Sequence, residues 1–156
     1  MLKKNTFLLI IFLFLYHCGF KVVNYSELNN FNIKEIITEG ENKISYKLKN
    51  YIQAISNKNS NTNIILSLNS KSKSSIKEKN SSNEVTKYQL EINTIINLRK
   101  LISDKTNKFE MIVSGDYLVA DKYSETLKNQ EQLIENLTRK MTSQIKRELS
   151  QRLNDL

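Results

Sequence analysis

The residues best equipped for covalent chemistry stand side by side. The only cysteine and the only histidine are Cys18 and His17, just past an unbroken apolar run from Phe7 to Leu15. A thiol is a strong nucleophile and the group from which a thioether is made. The other chemistry-bearing residues are cations. Lys71, Lys73, Lys77 and Lys79 flank the polar stretch Lys77–Glu84, while Arg99, Lys100, Lys105 and Lys108 surround a second polar stretch, Asp104–Lys108. Either group can offer charge-assisted hydrogen bonds to phosphate. The alternative for both is plain solubilisation of exposed turns in a lysine-biased chain. Glu125, Glu131 and Glu135 belong to the polar side of a helical pattern and read as a solvated face rather than an acid–base pair. No glycine-rich phosphate loop and no spaced His/Cys ligand set occurs. The expectation is a protein that is not an enzyme and uses no metal and no cofactor.

The totals narrow the partners. With 156 residues there is room for one domain. The chain lacks proline and tryptophan and has three glycines; its mean hydropathy is −0.47. Lysine and asparagine abundance matches an AT-rich genome, so those counts alone carry no function. A net charge of +8 favours anionic partners: nucleic acid, anionic lipid or a phosphorylated glycolipid. Nucleic acid is disfavoured because no aromatic residues interleave with the basic ones. One cysteine excludes an internal disulfide.

Lys3 and Lys4 precede the nine apolar residues Phe7–Leu15. That run falls well short of the roughly 20 residues needed to span a bilayer, and its length is that of a secretory h-region. Leu15-Tyr16-His17-Cys18-Gly19 resembles the bacterial lipobox, in which a cysteine thiol receives a diacylglyceryl group and the leader is cut before it. His17 stands where that pattern usually has a small residue. Gly19, rather than aspartate, favours the outer membrane by analogy with enteric sorting rules. Several acyl chains would hold the protein firmly, whereas one would not. The competing reading is an uncleaved signal anchor with an incidental cysteine. The expected division is a leader over 1–17, a tether over 18–30 and a folded domain over 31–156.

These residues need elements to position them. Ile33, Ile36 and Ile37 make a brief strand-like run, followed by Thr38-Glu39-Gly40-Glu41 as a turn with capping-box spacing. Ile44, Leu48, Tyr51, Ile52 and Ile55 share one helical face. A strand over Ile64–Leu68 dissolves into serine and lysine, and Lys77–Glu84 reads as a hairpin tip. Tyr88, Leu90, Ile92, Thr94, Ile96 and Leu98 alternate as a long half-buried strand. Asp104–Lys108 is the next turn. Phe109, Met111 and Val113 then continue a meander, with Gly115 as a bulge or exit. From Lys122 to Asn154 a stripe of Leu127, Ile134, Leu137, Met141, Ile145, Leu149 and Leu153 predicts one long helix, capped by Asp121. The fold class is therefore α+β. A mostly antiparallel four-stranded sheet carries two helices on one face, in the order β-α-β-β-β-α.

This layout resembles the LPS-assembly lipoprotein LptE family over nearly the whole chain. "CGFKV" at Cys18 is similar to that family's start, and "YQLEINTIINL" (Tyr88–Leu98) to its central strand. The stretch Gly115–Leu149 is similar to the alphaproteobacterial form. The resemblance implies a lipoprotein held at the periplasmic face of the outer membrane through lipid on Cys18. It implies a plug inside an LptD-like β-barrel that helps assemble the barrel and takes part in lipopolysaccharide transport. The eight basic positions named above are then candidates for holding lipid A phosphates.

Overall fold

Period-two alternation along Tyr88–Leu98 becomes the spine of the molecule. The computed structural model describes residues 30–155. The expected leader and, apart from Asn30, the expected tether lie outside them, as does Cys18. The elements are β1 (Asn32–Gly40), α1 (Asn42–Ala54), β2 (Asn63–Lys79), β3 (Val85–Lys100), β4 (Thr106–Leu118) and α2 (Tyr123–Asp155). They form one sheet in the order β1-β2-β3-β4. β1 pairs with β2 in parallel, and the two hairpins are antiparallel. The α+β class and the element order are as expected.

One sheet face is apolar and meets both helices. Leu90, Ile92, Ile96 and Leu98 of β3 are buried beside Ile64, Leu66 and Leu68 of β2 and Phe109, Val113 and Tyr117 of β4. In β1 the register shifts between Ile33 and Glu35, which puts both Ile33 and Ile36 on the core side despite their odd separation. Ile37, one residue further, is then turned outward and 45% exposed. Helix α1 contributes Ile44, Leu48 and Ile52, all fully buried. Helix α2 contributes Ile134, Leu137, Met141, Ile145 and Leu149. Thr138 and Thr142 lie within that buried stripe because each hydroxyl donates to the carbonyl four residues back, at 2.6 and 2.9 Å. Ser70 and Thr94 share one hydrogen bond of 3.0 Å beneath the helices.

Several local expectations change. β2 does not end at Leu68. It runs to Lys79, because β3 pairs with it as far as Lys79↔Val85 and imposes extended backbone on a serine–lysine sequence of poor strand propensity. The first hairpin tip shrinks to Asn80–Glu84. The second turn falls earlier than Asp104–Lys108: it spans 101–105, closed by Lys100 N–H donating to the Lys105 carbonyl at 3.0 Å. The capping box is not formed. Thr38 and Glu39 remain in β1, Glu41 is the N-cap without a side-chain cap bond, and its carboxylate accepts from Ser72 instead. Asp121 makes no capping bond either. Thr126 does the closing, with its hydroxyl accepting from Ala120 N–H at 2.9 Å. Gly115 sits in regular register opposite Leu90. Its missing side chain gives room to Leu133, whose Cδ1 would lie 2.8 Å from an added Cβ.

Candidate functional site: the helix-free sheet face and the two basic ends

The odd-numbered residues of β2 and β3 and the even-numbered residues of β4 point away from the helices. They make a broad polar face. Near the 101–105 turn this face is concave, enclosing about 320 Å³ between Ile37, Ile65, Asn97, Arg99 and Lys108. Pairing explains the grouping. Arg99 lies opposite both Ile65 and Thr106, and Asn97 lies opposite both Ser67 and Lys108. Arg99 and Lys108 are thus diagonal neighbours on one face. Ile37 and Ile65 form an apolar floor beside them. The Arg99–Asp104 ion pair is 3.9 Å long with both side chains well exposed, so solvent screens it and the guanidinium remains available. Lys108 has no side-chain partner among the described residues. Two cations above two isoleucines suit an anionic amphiphile, with phosphate at the cations and hydrocarbon on the floor.

The other basic positions separate into distinct situations. Lys71 and Lys73 project from the same face, exposed and without ion-pair partners among the described residues. They stand along the strand rather than at the tip. Lys77 and Lys79 are already engaged, Lys77 with Asp116 at 2.5 Å and Lys79 with Asn83 at 2.9 Å. Lys100 is half-buried at the end of β3, and Lys105 closes the second turn through its carbonyl. The two turns lie at opposite ends of β3, as the hairpin topology requires, but Lys71 and Lys73 sit opposite Asn93 and Glu91, midway along it.

Sequence reasoning missed the charged clasp between the helices. Lys43 meets Glu131 at 2.8 Å, Lys47 meets Glu135 at 2.7 Å, and Arg139 meets Glu135 at 3.0 Å. The Tyr51 hydroxyl also donates to Glu135, and the Arg139 guanidinium lies 4.9 Å from the Tyr51 ring centre. Hydrogen bonds from Lys47 and Tyr51, then from Arg139, hold the Glu135 carboxyl down at about 2. The Lys43 hydrogen bond and charge lower Glu131 in the same direction. Glu131 and Glu135 are therefore not merely a solvated face. The signal was present in spacing: lysines four apart on one helix and glutamates four apart on the other make two matched rungs. Among the described residues no acidic, histidine or cysteine group is placed to hold a metal ion, and no helix is long and apolar enough to cross a membrane.

No family model and no curated protein matches the sequence. Solved structures do. Rare lipoprotein B from Shewanella oneidensis superposes with a TM-score of 0.60 at 12% identity, covering 78% of this chain and 97% of that one. The chain shares its fold. An uncharacterized lipoprotein B from Nitrosomonas europaea gives a TM-score of 0.59 at 16% identity, over 85% of this chain and 90% of that one. A Caulobacter crescentus CB15 protein gives 0.56 at 18% identity, over 83% and 94%. At such identities the likeness is one of architecture: a four-stranded sheet with two helices in the same order.

Proposed function

We propose that the protein is an outer-membrane lipoprotein of the LPS-assembly lipoprotein LptE type, anchored through lipid on Cys18. It plugs and helps assemble an LptD-like β-barrel and takes part in moving lipopolysaccharide to the outer leaflet. One observation carries this reading. The fold shared with rare lipoprotein B is combined with a lipobox-like Leu15-Tyr16-His17-Cys18 ahead of it. A two-layer domain with one polar, helix-free sheet face suits a water-filled lumen. The concavity at Arg99 and Lys108 offers lipid A phosphates two cations beside an apolar floor. The remaining candidates, Lys71, Lys73, Lys77, Lys79, Lys100 and Lys105, would act as secondary electrostatic contacts.

Co-purification from solubilised outer membranes tests the reading. A stoichiometric large β-barrel is expected, and a monomer without a barrel partner would overturn it. His17 beside Cys18 favours a second reading, a signal-anchored inner-membrane scaffold without a lipopolysaccharide role. Mass spectrometry of the N-terminus separates the two: an acylated start at Cys18 supports the plug, and an intact Met1 supports the anchor.

A further inference from the structure

Exposed aliphatic side chains occur at both ends of the sheet, Ile76 and Leu118 at the far end and Leu101 and Ile102 at the near end, but the far hairpin tip and the near turn differ in composition. At the far end the tip Asn80–Glu84 is wholly polar, and its lysines are satisfied internally: Lys77 by Asp116, Lys79 by Asn83 and Lys87 by Glu78. At the near end the 101–105 turn displays Leu101, 43% exposed, and Ile102, 75% exposed. This turn is held in place. Lys100 N–H donates to the Lys105 carbonyl, Leu101 N–H donates to the Asn63 carbonyl, both at 3.0 Å, and Asp104 takes a left-handed φ of 48°. A fixed loop that presents two aliphatic side chains to water has no folding reason to do so. Arg99 and Lys100 precede this turn at the end of β3, and Lys108 follows it in β4.

The same end receives the N-terminal segment. Asn32 N–H donates to the Thr62 carbonyl, and Ser60 donates to the Asn30 carbonyl. Leu101 is tied to Asn63, the residue paired with Asn32. Asn32 therefore lies about two strand spacings, roughly 10 Å, from Leu101, with Asn30 two residues further along the chain. Eleven residues lie between Cys18 and Asn30, twelve steps with a reach of at most about 40 Å. An aliphatic tip flanked by lysine and arginine, beside the point where an anchored segment arrives, has the chemistry of an interfacial membrane contact.

We propose that the β3–β4 turn is a second membrane contact, with Leu101 and Ile102 entering the headgroup region of an anionic bilayer and the flanking cations meeting its phosphates. It rests on the lipoprotein reading for the anchored segment and for the choice of leaflet.

The test uses the full chain, purified from membranes and reconstituted into phosphatidylethanolamine–phosphatidylglycerol vesicles. Ser103→Cys and, as the far-end control, Ser82→Cys each carry a fluorophore, and lipids with a shallow nitroxide serve as quencher. Quenching at position 103 at least about threefold above position 82 is expected. It should fall about fivefold or more with Lys100→Glu/Lys108→Glu, from the strength of one cation near an anionic surface. Leu101→Asp/Ile102→Asp should abolish it while circular dichroism stays unchanged. Equal quenching at 103 and 82 would overturn the proposal. So would shielding of 103 from aqueous iodide, without lipid quenching, when a barrel partner is added, because the turn would then dock on protein. Labelling of the unaltered chain reports separately on Cys18. If it takes the fluorophore, the lipid anchor fails, and the turn is judged by the same probes in a Cys18→Ser background.

Discussion

Glu135 shows how much one carboxylate can do between two helices. Three donors from both helices hold its acidity at about 2, below an ordinary 4.5. A group whose pKa is depressed by folding stabilises the native state fully above its unfolded value and loses that contribution as pH falls toward the folded one. The clasp is therefore intact at neutral pH and fails between about 4.5 and about 2. Glu135→Gln is expected to lower the melting temperature at pH 7, with the gap to the unaltered protein closing by about pH 2 in thermal unfolding. Gly40 is the other residue with no substitute. Its φ is +83°, and a Cβ there would lie 2.2 Å from the Ser70 carbonyl oxygen, the atom that accepts from Glu41 N–H at 2.8 Å. Gly40→Ala should cost about 2–4 kcal/mol in denaturant unfolding, from left-handed strain and displacement of β2. The stretch Thr38–Glu41 reads as a turn, but the chain turns only at its end, at Gly40–Glu41, because Thr38 and Glu39 stay paired in β1. Its capping-box spacing misleads, because Glu41 is drawn away to Ser72.

Strand β2 divides into two halves with different neighbours. As far as Ser70 it is sandwiched between β1 and β3; beyond it β1 has ended at Gly40, and Lys71–Lys79 present a free edge. The alternating lysines and serines there are what a long exposed edge needs, since charge discourages pairing with another chain. Lys71→Val/Lys73→Val is expected to leave the fold intact and to produce concentration-dependent association in size-exclusion chromatography. A monomer unchanged at every concentration would show that these lysines serve another purpose. The same composition hides the strand from a reading along the sequence, because serine and lysine have weak strand preference and the ordering force is the ladder to β3. Helix α2 is the opposite case. Its 33 residues, about 50 Å, were legible in a narrow apolar stripe with neither glycine nor proline.

The whole molecule has a polar far hairpin tip with exposed Ile76 and Leu118 near it, a basic and partly apolar near end, and one face free of helices. Arg99→Glu/Lys108→Glu is expected to weaken lipopolysaccharide binding about tenfold, the scale of losing two solvent-exposed ion pairs. The melting temperature should hold, since both side chains are exposed. Lys77→Glu/Lys79→Glu should matter less, because Lys77 is already committed to Asp116. Equal losses in the two variants would distribute the binding energy over the entire basic surface, and no loss in either would leave the cations to solubility.

Local periodicity carried most of the architecture. Alternation in Tyr88–Leu98 and the helical stripe after Lys122 report which side of an element meets the core, and burial of apolar area depends on little else. The placement of the two turns at opposite ends of β3 also followed, because a hairpin reverses direction at each turn; that Lys71 and Lys73 stand midway along the sheet did not. What needed the folded molecule was every relation between elements that share no sequence neighbourhood. The pairing of Lys47 with Glu135 and the placement of Ile37 diagonally beside Ile65 are of this kind. So are the extension of β2 along β3 and the bond from Leu101 to Asn63. Each is set by strand register and helix packing, which bring together residues that no window along the chain contains.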